Sequence, residues 1–198
     1  MAMILDAGRF DRAQRSLMRT ATYRAGKYVE SRIRIQIKKA PYTPNASLTT
    51  AIKGSTKPLV DHADIWKAIT TSRVDPNTVF VGVLNTALGP DGKRLVNITA
   101  VIHDGFAIPV TKKMRGLFHV LWLATTGKMD PAQLTGRAAE IYSRLNGRAV
   151  IQRLKPSTTT IVIPKRPFIR DVFEDQAVRA AVMKYWEDAY DRAVRARP

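Results

Sequence analysis

Few residues of this chain could do acid–base or metal chemistry. It holds no cysteine and three histidines, His62, His103 and His119, so thiolate zinc sites, cysteine nucleophiles and disulfides are excluded. No two of the histidines have the i, i+4 spacing of a helical zinc site. His103, next to Asp104 at a predicted strand end, could act as a base or a ligand, but a hydrogen bond within a turn is the commoner role of such a pair. His119 falls beside an apolar helix stripe and is expected to pack. The acidic pairs Glu174-Asp175 and Glu187-Asp188 lie in a predicted helix, where neighbours point about 100° apart and do not converge on one site. Glu174 and Asp175, near that helix's start, suit its dipole. Gly105, Gly116 and Gly127 stand singly, so the sequence shows no glycine-rich phosphate loop. The expectation is a protein that is not an enzyme and has neither cofactor nor resident metal.

Charge is the strongest bulk signal, with 33 Lys and Arg against 16 Asp and Glu. It is unevenly spread. Residues 1–40 carry ten basic and three acidic groups, 41–110 six and five, 111–170 twelve and two, and 171–198 five and six. Such a field attracts nucleic acid or acidic protein surfaces and says nothing of fold. Lys112, Lys113 and Arg115 cluster at a predicted helix start, where the dipole disfavours cations. With Arg137, Arg144 and Arg148 they are the candidate contacts to a polyanion or an acidic partner; the alternative is a solvated face. Aromatic residues do not interleave with these charges along the sequence as stacking platforms would.

The elements that must position these residues follow from periodicity. At 198 residues and 45% hydrophobic content, the chain suits one domain with a real core. Phe10, Ala13, Leu17, Ala21, Ala25, Tyr28 and Val29 mark one face of a helix over 9–39, with Asp6 as a candidate cap and Pro41 as its stop. A polar connector runs from Pro41 to Pro58. Ile65, Trp66 and Ile69 then predict a short helix begun by Asp61 or Asp64, and Val79–Leu84 a strand. Pro90-Asp-Gly-Lys93 is a turn with Gly92 suited to positive φ. Val96, Ile98, Ala100 and Ile102 alternate as a half-buried strand. Thr111 is the expected cap of a helix carrying Met114, Leu117, Phe118, Leu121 and Trp122. Asp130-Pro131 starts another, which ends at Asn146-Gly147. Ala149–Leu154 and Thr159–Ile163 read as strands, and 172–195 as a last helix. The fold class is α+β, an antiparallel or mixed sheet packed with long N- and C-terminal helices. No apolar run approaches the roughly 20 residues of a membrane span, and no signal-peptide pattern opens the chain, so a soluble, unexported protein is expected.

Four segments, in order, resemble the virion morphogenesis or tail-completion proteins of tailed bacteriophages. Lys57-Pro-Leu-Val-Asp61 with Ile65, Trp66 and Ala68-Ile-Thr70 is similar to that family's Pro-Leu-Ile-Asp-Thr-Gly turn and following helix, and Val79-Phe-Val-Gly-Val83 to its next strand. Ile102-His-Asp-Gly105 with Ile108-Pro-Val-Thr-Lys-Lys-Met-Arg115 is similar to its His-Glu-Phe-Gly turn and the run beyond. Ile163-Pro-Lys-Arg-Pro-Phe-Ile-Arg170 resembles its Ile-Pro-Ala-Arg-Pro-Phe signature. The order holds over about residues 10–190, and residues 125–150 look like an inserted helical hairpin. The resemblance implies a structural component of the virion neck, a head–tail connector or tail-completion ring that joins the DNA-filled head to the tail and lines the DNA passage. It implies assembly in the bacterial host cytoplasm and a homo-oligomeric ring of six copies, with twelve as the alternative. Its neighbours would be a head–tail adaptor and a tail terminator or collar protein. Asp61, Ile102, His103, Asp104, Gly105, Pro164, Arg166, Pro167, Phe168 and Arg170 become the candidate interface. The residues agree with a ring subunit: Pro164 and Pro167 fix φ on either side of Arg166, giving an elbow expected to aim Phe168 and Arg170 at a neighbouring copy from the surface. The basic blocks would face genomic DNA, without sequence specificity, or acidic faces of neighbours. The alternative function is a sequence-independent nucleic-acid-binding protein. A third reading, a nuclease, has only His103 and scattered carboxylates behind it.

Overall fold

The computed structural model describes residues 7–46, 49–50, 64–89, 92–145 and 151–195. Asp6, Asp61, His62, Pro90, Asp91 and Arg148 lie outside them. The chain, expected from its length to be one domain, groups into two compact units built from separated stretches. The first comprises Met1–Lys39, Ala63–Thr99 and Pro167–Pro198; the second comprises Ala40–His62 and Ala100–Arg166.

The first unit is organised by α1, Ala7–Lys39. Its stripe of Ala21, Ala25, Val29, Ile33 and Ile37 is buried at every fourth position, which one helix face requires. It stops where Ala40 takes φ 45 and Pro41 follows, which cannot continue a helix. The short helix α2, Asp64–Ala68, leads directly into β1, Ile69–Arg73, which pairs antiparallel with β2, Val79–Val83. The helix expected to include Ile69 ends at Ala68, and Ile69 opens a strand that the sequence did not predict. Its inward positions are Ile69 and Thr71, both buried, with half-buried Thr70 and Ser72 between them, so a polar-looking run still has a two-residue period. Asp75 shapes the connecting turn, its Oδ1 accepting from the Asn77 and Thr78 backbone N–H groups at 2.7 and 2.8 Å. Gly26 of α1 lies against this hairpin; a Cβ there would come within 2.7 Å of Val79 and 2.9 Å of Thr71. Glu30, buried beside it, receives Lys27 Nζ at 2.8 Å and Arg34 at 3.0 Å. Burial pushes its carboxyl up, but hydrogen bonds from Lys27 and Thr71 and the two nearby cations outweigh this and hold it below the ordinary glutamate value.

The expected single C-terminal helix is two: α6, Phe168–Glu174, and α7, Gln176–Arg195. Asp175 between them is extended (ψ 115), and its Oδ1 accepts from Ala177 N–H at 2.8 Å, so it caps the second helix. α7 runs along α1, with Tyr28 and Tyr185 rings 6.0 Å apart and Trp186 Nε1 donating to Thr22 Oγ1 at 3.2 Å.

Helix α3, Leu95–Asp104, corrects the strand expected over Val96–Ile102. The apparent alternation hid a helical stripe, Leu95, Ile98, Thr99 and Ile102, of which Leu95 and Thr99 are buried while Ala100 and Val101 face outward. α3 gives its first half to the first unit and its second half to the second.

The second unit continues with β3, Phe106–Pro109, and α4, Lys112–Thr125, capped as expected by Thr111, whose hydroxyl accepts from Met114 N–H. Asp130 caps only a 3-10 turn, Pro131–Gln133. The α-helix of this stretch, α5, begins later and spans Gly136–Arg144. β4, Thr160–Ile163, pairs antiparallel with β3. Residues 151–154, expected as a strand, have no regular secondary structure; Ile151 instead joins Leu121 and Leu145 in a small core covered by Phe118, Ile141 and Tyr142. The architecture is α+β, with two-stranded antiparallel sheets and long helices at both ends. Among the described residues no helix is long and apolar enough to cross a membrane.

Candidate functional site

The fold joins two of the segments singled out by sequence. Arg166 N–H reaches the carbonyls of Ile102 and His103 at 3.1 and 3.2 Å, the last turn of α3. Gly105 turns the chain there at φ +73, and a Cβ at that position would lie 2.9 Å from Ile163 O and 3.0 Å from Lys165 N. Only glycine allows both this conformation and this approach. Ile102-His-Asp-Gly105 and Ile163-Pro-Lys-Arg166 are therefore one structural feature of the second unit. Within it His103 Nδ1 and Asp104 Oδ1 are 2.8 Å apart, at a helix end rather than the expected strand end. Among the described residues no three His, Asp or Glu side chains group as a metal site would require.

Two residues of the expected interface are internal. Arg166, expected on the surface, is 8% exposed. Its Nη2 donates to Thr43 O at 3.3 Å, its Nε is buried with no partner, and burial pulls its pKa below the ordinary arginine value. Phe168, expected to point at a neighbour, is 0% exposed. Both are held by the chain itself: Arg166 within the second unit, and Phe168 because α6, which it begins, packs on α1. The boundary between the units falls between Arg166 and Pro167, so Pro167, Phe168 and Arg170 belong to the first unit and Pro164 and Arg166 to the second. Arg170 is exposed, 3.9 Å from Glu174.

The basic candidates part company. Lys112 and Lys113 are exposed on the first turn of α4. Arg115 is turned inward to the chain, donating to Lys155 O at 2.9 Å and Thr158 O at 2.6 Å, and so pins the loop before β4. Arg144 pairs with Glu140 at 2.7 Å, while Arg137 is exposed on α5. Four residues the sequence did not single out as a group come together in this unit. Trp122 carries Lys128 Nζ 4.5 Å and the Arg153 guanidinium 5.6 Å from its ring centroid, and His119 stacks on it at 5.8 Å. Trp122 thus sits among cations that the sequence did not group with it. Folding brings Arg153 to Trp122 from 31 residues away in the chain, beyond any local spacing. Arg115, His119, Arg153, Leu154 and Pro156 line a cleft of about 380 Å³ beside it.

No protein-family model, curated protein or solved structure matches the chain.

Proposed function

We propose that this chain is a structural subunit of a tailed-phage neck, part of the head–tail connector or tail-completion ring through which DNA passes between head and tail. The observation that carries the reading is the junction of Ile102–Gly105 with Ile163–Arg166. Two separated segments that resemble the same family's signatures interlock through backbone hydrogen bonds and a glycine that tolerates no side chain. A motif whose backbone hydrogen bonds and glycine turn fix chain geometry suits a scaffold subunit, and its one acid–base pair, His103 with Asp104, joins adjacent residues at a helix end. The expected interface shifts accordingly, from the buried Arg166 and Phe168 to exposed residues such as Asp104 and Arg170. The alternative, a sequence-independent nucleic-acid-binding protein acting outside a particle, draws on the excess of cations in the second unit.

The test is to produce the phage without this chain. The neck reading expects DNA-filled heads and finished tails that fail to join, rescued by supplying the chain in trans. Intact infectious particles, or a defect in DNA replication with no assembly defect, would overturn it.

A further inference from the structure

Both units are cationic, and the second has few carboxylates. The first has twenty Lys and Arg with twelve Asp and Glu; the second has thirteen with four. In the first, some cations meet carboxylates: Lys27 and Arg34 meet Glu30, Arg32 meets Asp175 at 4.0 Å, and Arg170 meets Glu174; others, Lys38 and Arg73, lie 4.4 and 5.0 Å from the Trp66 and Tyr23 ring centroids. In the second, the described carboxylates are already engaged. Asp104 bonds His103, Asp130 accepts from Ala132 N–H, and Glu140 takes Arg144. The cations around α4 are ordered by neutral groups, Arg115 by two backbone carbonyls and Lys128 and Arg153 by the Trp122 ring, and they gather beside a cleft. A carbonyl or an aromatic face fixes a cation's position without cancelling its charge. The result is a preorganised positive face with its side-chain entropy already spent on the fold.

We infer that this face, Arg115, His119, Trp122, Lys128 and Arg153 around the cleft, is a binding site for the phosphodiester backbone of duplex DNA. Duplex DNA presents one negative charge per roughly 1.7 Å of axis, a density that matches closely spaced, uncompensated cations. A folded protein face with as many clustered carboxylates would strain under its own repulsion. Trp122 does not read bases: its ring is engaged by His119 and two cations, so it organises charge rather than offering a stacking surface. Binding is therefore independent of sequence. That the duplex is the passing genome rests on the neck reading; that the face binds phosphates does not, and the experiment addresses only the latter.

The experiment is a salt titration of the full chain against two 30-base-pair duplexes of unrelated sequence, with poly-L-glutamate as a carboxylate competitor. Both duplexes should bind alike. K128Q/R153Q, two exposed residues, should weaken binding about tenfold or more at low salt and lower the slope of log K against log salt by about 1.8, two phosphate contacts' worth. R19Q/R24Q, which removes the same charge from the exposed face of α1, should change affinity less than about twofold if the site and not net charge binds. Lysine acylation of the unaltered protein gives a variant-free reading: duplex should protect Lys128 while leaving Lys67 and Lys184 of the first unit reactive. Equal losses in the two double variants, an unprotected Lys128, sequence preference, or poly-glutamate binding as tightly as DNA would each overturn the assignment.

Discussion

Arg166 and Phe168 show how far a residue's type is from its role. Two prolines around an arginine describe a stiff turn, and stiffness was legible in the sequence. What the turn delivers was not, because it depends on α1, more than a hundred residues earlier, against which α6 packs. Phe168 is consequently core, and Phe168→Ala should cost about 3–5 kcal/mol of unfolding free energy, read as a lowered urea midpoint at unchanged slope. A loss below about 1 kcal/mol would mean that the side chain is not packed by its own chain and would return it to the interface. Gly105 is the opposite case. Its isolation in the sequence ruled out a phosphate loop but gave no hint that a Cβ there would lie 2.9 Å from Ile163 O and 3.0 Å from Lys165 N. Trp122, Lys128 and Arg153 were equally hidden, since each is ordinary in its own neighbourhood and only the fold groups them.

Elements with caps and long stripes were readable, and those decided by tertiary packing were not. α1 and α4 were found because a repeated stripe, Thr111 and Pro41 agree on where each helix lies. β1 was missed and α3 misread because Thr and β-branched residues serve either state, and the packing partner decides between them. The hairpin β1–β2 is fixed by what it lies on. Thr71 Oγ1 donates to Gly26 O at 3.2 Å, which requires close approach to the α1 backbone. Gly26→Val should therefore force Val79 and Thr71 aside and destabilise the protein by about 1–3 kcal/mol, as overpacking does. Thermal unfolding checks this. Equal or higher stability would mean that the gain in helix propensity over glycine exceeds the clash, and that α1 and the hairpin are not in tight contact.

At the scale of the whole molecule, a net charge of +17 divides almost evenly, +8 on the first unit (20 − 12) and +9 on the second (13 − 4), but the second carries it with only four carboxylates. The scarcity of acids in the second unit was visible in the sequence as a dense basic block at 111–170. The membership of the two units, interleaved along the chain, was not visible, because one boundary, between Thr99 and Ala100, falls inside helix α3 with no break in composition. The central claim concerns assembly, and the most direct measurement is an electron-microscopy reconstruction of the neck of the phage that encodes this chain, with copy number counted on the tail axis. The account predicts a closed ring of six copies between head and tail, with Asp104 and Arg170 outside the subunit cores. Its absence from the neck, or its presence as one or two copies off the axis, would contradict the account.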